Sequence, residues 1–283
     1  MREIALGQYY PVKSLLHRLD PRIKLLMMIT YIVMIFFVKS FIGYAVVALF
    51  LLLTIALSKV PFLKVIKSLK MIIFLVIFTV IMSLLFYRGE AEDILWKWSF
   101  IKIYKEGLLN AGRMALRLIF LVIGPTMLTY TTTPVELTDG LESLLKPLKV
   151  IHFPVHELAI IMSIALRLIP TLIEETDKIQ SAQKARCADF ESGNIFKRAK
   201  AMLPVIIPLF VSSFRRADEL ADAMDSRCYR GAKGRTKMKK LSLHVRDFLS
   251  FFVLLVFFFI ILWLKYNFFP TLIDVSAISW LSI

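Results

Sequence analysis

The chain has too few polar residues to cover the surface of a water-soluble protein. Of its 283 residues, 58% are hydrophobic and the mean hydropathy is +0.71, whereas soluble domains are about 45–50% apolar. This composition excludes a soluble enzyme, an extracellular disulfide scaffold and a disordered regulator. It indicates an integral membrane protein.

Cysteine and acidic residues are also scarce. Cys187 and Cys228 are the two cysteines and both lie in basic sequence, so we expect cytosolic thiols rather than a disulfide. The 21 acidic residues are outnumbered by 36 Lys and Arg, which gives a net charge of +15. The basic residues flank apolar runs, a pattern typical of membrane proteins with positive cytoplasmic loops. The basic run at 227–240 has no pattern of interleaved aromatics, which favours anionic lipid over nucleic acid as its partner.

Several signatures of catalysis and ion coupling are missing from the sequence. It contains no G-x-x-x-x-G-K-[ST] phosphate loop, so any ATP and Mg²⁺ must be bound by partner subunits. The four histidines form no metal-ligand spacing with the cysteines, so we expect no metal site. The apolar runs contain no Asp or Glu, which disfavours a proton- or sodium-coupled carrier. We therefore expect a non-catalytic membrane protein that binds no cofactor itself.

Five apolar runs predict five transmembrane helices, since about 20 residues cross a bilayer. The runs are Ile23–Val38, Phe41–Leu57, Met71–Tyr87, Leu108–Tyr130 and Phe248–Leu264. We divide the chain into an N-terminal segment with four of these helices, a cytoplasmic or membrane-interface module of long helices, and a last helix with a tail. These parts cover residues 1–130, 131–247 and 248–283. The predicted fold class is an all-α, polytopic membrane protein.

The distribution of positive charge favours an N-terminus in the cytoplasm. In that orientation the inside segments 1–24, 58–70 and 131–247 carry 28 Lys and Arg, and the outside segments carry six. Without the long 131–247 segment the balance is nine to six. Arg113 and Arg117 lie one helical turn apart in the fourth run. Either they are functional or paired within the membrane, or they extend to the outer interface.

The 131–247 module is expected to contain helices that pass from apolar to charged sequence. Pro134, after a threonine cap, begins the first of them. Two longer helices are predicted over Leu158–Arg186 and Val205–Cys228, each apolar at the membrane and charged in the cytosol. Three prolines in this region are candidate hinges because proline removes a helical hydrogen bond; they are Pro170, Pro204 and Pro208.

The two long helices end in similar strings. Residues 177–187 read DKIQSAQKARC and residues 218–228 read DELADAMDSRC, an offset of 41 residues. An arginine between two small residues would let a helix end enter a narrow groove, with its guanidinium bound by carbonyls or carboxylates of a partner. Alternatively, each arginine is a solvated C-terminal cation that the helix dipole favours.

The sequence resembles the transmembrane T component of energy-coupling factor (ECF) transporters, the EcfT family. SLLHRLDPRIKL at 14–25 is similar to that family's Leu-His-Arg-Leu-Asp-Pro-Arg segment; the matching positions include His17, Arg18, Asp20, Pro21 and Arg22. The ends AQKARC and AMDSRCYRG are similar to the paired Ala-Arg-Gly signatures of the family's coupling helices. In this chain Cys replaces Gly in both signatures, and Ser replaces Ala in the second.

The resemblance implies the coupling subunit of an ECF-type ABC importer in the cell membrane of a prokaryote. Such a subunit joins two cytoplasmic ABC-type ATPases, which bind ATP and Mg²⁺, to a small membrane subunit that captures a vitamin or similar micronutrient. The resemblance also implies that two triplets on the coupling helices dock on the ATPases, namely Ala185, Arg186 and Cys187, and Ser226, Arg227 and Cys228. A self-sufficient secondary carrier and a membrane scaffold or insertase-like protein remain the alternatives.

Overall fold

The computed structural model describes residues 9–70, 72–86, 94–98, 101–151, 153–190, 192, 194–231 and 241–267. Within these residues the chain divides into two compact units. The first, here called the bundle unit, contains the described residues of 9–141 and 241–267. The second, here called the paired-helix unit, contains the described residues of 142–231.

The bundle unit consists mainly of helices. They are α1 (Pro21–Phe37), α2 (Phe41–Ser58), α3 (Phe62–Leu69), α4 (Ile73–Phe86), α5 (Lys105–Thr131) and α9 (Val245–Asn267). An antiparallel hairpin of β1 (Ile94–Trp98) and β2 (Ile101–Tyr104) connects α4 to α5. Among the described residues this hairpin is the one strand pair in an otherwise helical fold.

The paired-helix unit is built from two long helices. They are α7 (Val155–Ala185) and α8 (Ile195–Ser226). The helix α6 (Pro134–Leu145), most of which belongs to the bundle unit, precedes them along the chain and continues into a short 3₁₀ helix, Lys146–Ile151. At the start of α6, the Thr133 hydroxyl accepts the Glu136 N–H at 3.3 Å and Glu136 Oε2 accepts the Thr133 N–H at 3.4 Å. This reciprocal cap begins the helix where the sequence predicts it.

The core of the bundle unit lies between α1, α2, α5 and α9. Its most buried side chains include Met34, Ile35, Tyr44, Val47, Leu254 and Ile261, each at most 2% exposed. Only three residues separate α1 from α2, and the Ser40 hydroxyl caps α2 by accepting the Ile42 N–H at 3.2 Å. The connection between the two helices is therefore short, while each of them packs mainly on α5 and α9.

The number of membrane-capable helices agrees with the prediction of about five spans. By length and composition, α2, α5, α7 and α9 can each cross a membrane, and the bent pair α3–α4 makes a fifth if it is one span. The helices that can span are not all the predicted ones. The predicted first span, α1, has only 17 residues, whereas α7, which the sequence predicts as part of the 131–247 module, is long and apolar enough to cross a membrane. The all-α, polytopic membrane fold is confirmed.

Candidate functional site

The two helices of the paired-helix unit lie antiparallel. Near their crossing, Glu175 of α7 accepts hydrogen bonds of 2.5 Å from the Ser212 hydroxyl and from Arg216 Nη2 of α8. Away from the crossing, Ile160 and Ile164 of α7 line one groove together with residues 220–231 at the end of α8. The sequence predicts that both helices run from the membrane to the cytosol, but in the structure their charged ends lie at opposite ends of the pair.

The end of α7 is closed by a Schellman motif, in which the next two N–H groups bond back to the last turn. The Cys187 N–H donates to the Lys184 carbonyl and the Ala188 N–H donates to the Gln183 carbonyl, both at 3.0 Å. Cys187 takes the left-handed conformation that this motif requires, with φ of 63°. Arg186 is the residue between the last helical residue and this cysteine.

The end of α8 has the same cap. The Cys228 N–H donates to the Asp225 carbonyl at 2.9 Å and the Tyr229 N–H donates to the Met224 carbonyl at 3.1 Å. Cys228 is also left-handed, with φ of 56°. Glycine normally takes this position because a side chain there strains the backbone. The geometry thus explains why glycine suits the third residue of each signature, and it shows that cysteine adopts the same conformation here.

Both predicted triplets are exposed, and each is a continuous stretch at the end of one helix. Ala185, Arg186 and Cys187 are exposed at the end of α7, and Ser226, Arg227 and Cys228 are exposed at the end of α8. Each end therefore presents one guanidinium, flanked by small side chains, with no bulky neighbour within the triplet. The structure brings the three residues of a triplet together and separates the two triplets. Docking of these ends on ATPases stays a prediction.

The three candidate hinge prolines lie inside continuous helices. Pro170 is in α7, and Pro204 and Pro208 are in α8. Each removes one N–H donor from its helix but does not end it. The helix α8 begins at Ile195, ten residues before the predicted start at Val205, because Pro204 lies within the helix instead of preceding it. All three lie on the N-terminal side of the crossing.

The N-terminal segment that carries the family resemblance folds within the bundle unit. His17 and Arg18 lie in a short 3₁₀ helix, Asp20 caps α1 by accepting the Arg22 N–H at 2.9 Å, and Pro21 is the first residue of α1. The His17 Nε2–H donates to the Tyr10 carbonyl at 2.9 Å, and Nδ1 lies 2.7 Å from the Ser14 hydroxyl.

The surroundings of His17 favour its neutral form, chiefly through burial. Burial lowers the pKa of His17 below its ordinary value, although the hydrogen bond to the Tyr10 carbonyl partly opposes this. The nearby positive charge of Lys24 also lowers it. The imidazole therefore acts as a fixed structural group at neutral pH.

Two buried charges that sequence reasoning missed fasten this segment to other helices. The Lys24 ammonium donates to the Thr131 carbonyl at 2.9 Å, and to the His17 carbonyl and Thr132 hydroxyl at 3.3 Å. Asp247 accepts the Asp20 N–H at 2.8 Å. We call these contacts the polar clasp.

The polar clasp joins the start of α1 to the end of α5 and the start of α9. Asp247 also accepts the His244 N–H at 2.8 Å and so caps α9. Lys24 is 7% exposed and Asp247 is 1% exposed, which makes both contacts costly to break. In the sequence their only signal is that each is a charged residue at the edge of an apolar run.

The arginine pair on α5 binds the turn between α1 and α2. Arg117 donates to the Tyr44 hydroxyl and the Val38 carbonyl, both at 3.3 Å, and Arg113 contacts the Lys39 carbonyl at 3.5 Å. The carbonyls after α1 lack helical partners and carry the negative end of the helix dipole, so guanidinium groups suit them. In the predicted orientation this turn is an outside segment, so these contacts fit both possibilities that the sequence left open.

Comparison with known proteins gives a consistent result over almost the whole chain. Residues 12–238 match the family described as CbiQ, cobalt transport protein. The chain is 54% identical over 250 residues to the energy-coupling factor transporter transmembrane protein EcfT of Clostridium kluyveri, covering 88% of this chain and 92% of that protein. It is 48% identical to EcfT of Ruminiclostridium cellulolyticum over 95% of this chain and all of the relative. For EcfT of Bacillus subtilis the identity is 47%, over 85% of this chain and 90% of that protein.

Proposed function

The chain belongs to the EcfT family, the transmembrane components of energy-coupling factor transporters, and on this premise we propose that it transmits the movement of two ATPases to a separate substrate-binding membrane subunit. The chain is a membrane transport protein, and its relatives are named as transmembrane proteins of energy-coupling factor transporters. The proposal concerns which partners it joins and through which residues.

The observation that carries the proposal is the pair of matched helix ends. Arg186 and Arg227 occupy the same position in the same cap and both are exposed. A solvated cation could end any helix, but two long helices with the same Arg-Cys cap suit a pair of similar receptors. Two ABC-type ATPases would supply them, with Arg186 docked on one and Arg227 on the other. Small neighbours let each arginine enter a narrow groove.

The remaining partners follow from the composition of the chain. It has no phosphate loop, so in this proposal the ATPases bind ATP and Mg²⁺ and this chain has no catalytic residue. A small integral membrane subunit captures the substrate, a vitamin or other micronutrient. That subunit packs on the exposed apolar surface of α7 and α8, which includes Ile161, Ile207, Phe210 and Phe214.

The proposed location is the cell membrane of a prokaryote, with the N-terminus and the paired helices on the cytoplasmic side. The excess of Lys and Arg in the inside segments supports this orientation. The basic run at 227–240, of which 232–240 lies outside the described residues, would then face the anionic cytoplasmic leaflet.

The proposed mechanism depends on the stiffness of long helices. When ATP binding closes the ATPases, each docked arginine moves with its own ATPase. Because α7 has 31 residues and α8 has 32, movement at one end is carried to the apolar part that holds the substrate-binding subunit. Pro170, Pro204 and Pro208 allow local bending there, since each removes a backbone hydrogen bond.

Affinity purification of the tagged chain in mild detergent tests this proposal. Mass spectrometry should find two ABC-type ATPases and a small membrane protein, none of which appear from the same cells without the tag. Purification of the chain alone, together with solute uptake by liposomes that contain only this chain, would support the secondary carrier instead.

A further inference from the structure

The contact at the crossing of α7 and α8 joins equivalent positions of the sequence repeat. Glu175 and Arg216 are 41 residues apart and form an ion pair of 2.5 Å. Arg186 and Arg227 are also 41 residues apart. Each helix therefore contributes to the crossing the same position of its repeat, as in a pair related by a two-fold axis.

We propose that Glu175 and Arg216 form the pivot of two equal lever arms. Each of these residues lies 11 residues before the arginine that ends its own helix, or about 16 Å at 1.5 Å per residue. Equal arms give the two docked ends equal displacement about the crossing. This inference rests on the proposed function, because it assigns the pair a positioning role in the coupling of two ATPases.

The opposite charges at the crossing decide which helices can pair. In a two-fold arrangement a position faces its own equivalent, so identical residues there would place like charges together. A glutamate in one copy and an arginine in the other attract each other, whereas two copies of α7 or two copies of α8 would repel. The pair thus favours α7 with α8 and sets their register.

Geometry distinguishes this pair from an ordinary surface ion pair. The side chains of Arg216 and Glu175 are 37% and 22% exposed, and the Ser212 hydroxyl holds the second carboxylate oxygen at 2.5 Å. Arg215 and Glu219 form a pair of the same residue types within α8, but they are 81% and 66% exposed. Exposed pairs of that kind contribute little, so Glu219 is a matched control.

The two native cysteines allow a direct test on the purified full chain. Cys187 and Cys228 are exposed and are the two cysteines of the sequence, each one residue beyond a docking arginine. Spin labels on them report the separation of the arm ends by pulsed electron paramagnetic resonance. We expect one narrow distance distribution, which Glu175→Gln broadens and Glu219→Gln leaves unchanged. An unchanged distribution in Glu175→Gln would overturn the pivot.

A charge exchange tests the functional role in cells. Glu175→Arg should lower uptake about tenfold while the ATPases still co-purify, and Glu175→Arg with Arg216→Glu should restore uptake and the narrow distribution. Wild-type uptake in Glu175→Arg, or no recovery in the exchanged variant, would contradict the inference. If the wild-type chain retains no ATPases, the proposed function fails. The spin-label distances still show, independently of that result, whether Glu175 and Arg216 fix the geometry of the helix crossing.

Discussion

Arg186 and Arg227 occupy the same position in two separate helix caps. Each stands between the last helical residue and a left-handed cysteine, and each cap has the same two hydrogen bonds. Because α7 and α8 are antiparallel, the two arginines lie at opposite ends of the pair. The fold therefore presents one arginine-bearing end in each direction and gives both ends the same local geometry.

Glycine at the left-handed positions should stabilise the ends of α7 and α8. Cys187 and Cys228 have φ of 63° and 56°, and a side chain in this region costs about 1–2 kcal/mol. We expect Cys187→Gly and Cys228→Gly to slow amide hydrogen exchange in the last turn of each helix about fivefold, which hydrogen-exchange mass spectrometry would measure.

Alanine provides the control for the cysteine variants. Cys187→Ala removes the thiol but keeps the backbone strain, so its exchange rates should stay close to those of the wild type. Equal slowing by alanine and glycine would assign the effect to the loss of sulfur and contradict the conformational explanation.

A glycine in α5 is required by close packing. A Cβ atom at Gly124 would lie 2.2 Å from Cε1 of Tyr31, whose side chain is 4% exposed and whose hydroxyl donates to the Phe120 carbonyl at 2.8 Å. Gly124→Ala should therefore destabilise the bundle unit by about 1–3 kcal/mol, seen as a lower midpoint in thermal unfolding.

The matched variant Gly112→Ala should have the opposite effect and raise the midpoint of thermal unfolding. The nearest atoms to a Cβ at Gly112 are those of the Phe41 ring at 3.9 Å, an ordinary contact. Alanine is the better helix former, by about 1 kcal/mol at most. If both variants shifted the midpoint in the same direction, close packing at Gly124 would not be the cause.

Removal of the ammonium group from the polar clasp should destabilise the protein. Lys24→Met leaves the Thr131 and His17 carbonyls without their donor, and a buried unsatisfied carbonyl costs about 1–3 kcal/mol. Thermal unfolding in detergent should show the loss. Lys13→Met removes an exposed lysine of the same region and should have no effect; an equal loss in both would refute the clasp.

Acid should weaken the N-terminal segment through His17. The pKa of His17 is lowered in the folded protein from its ordinary value of 6.5, so below that pH the unfolded chain binds more protons than the folded chain. The contribution of His17 to the free energy of unfolding is therefore fully present above about pH 6.5, and it is lost as the pH decreases. His17→Gln should flatten this dependence, and an unchanged slope in His17→Gln would contradict the assignment.

The periodic features of the fold could be predicted from the sequence. Long apolar runs predicted α2, α5 and α9, and Pro134 after a threonine predicted the start of α6. The repeat with its central arginines predicted where α7 and α8 end, because small residues, Arg and a left-handed position follow the rules for helix C-termini.

Long-range contacts could not be predicted in the same way. Nothing local shows that Lys24 reaches Thr131, or that Glu175 meets Arg216, since each pair is formed by the packing of separate helices. Both long helices pass from apolar to charged sequence, which suggested one direction for both. Their antiparallel order depends on the crossing contact and became visible only in the structure.

The central claim is that Arg186 and Arg227 dock this chain on two ATPases. Charge reversal at each position, followed by uptake and by quantification of co-purified ATPases, tests it directly. Arg186→Glu and Arg227→Glu should each reduce uptake and ATPase recovery, and the double variant should lose nearly all of both. Lys178→Glu makes the same charge change at an exposed site of α7 and should match the wild type. Full uptake by the double variant would contradict the claim.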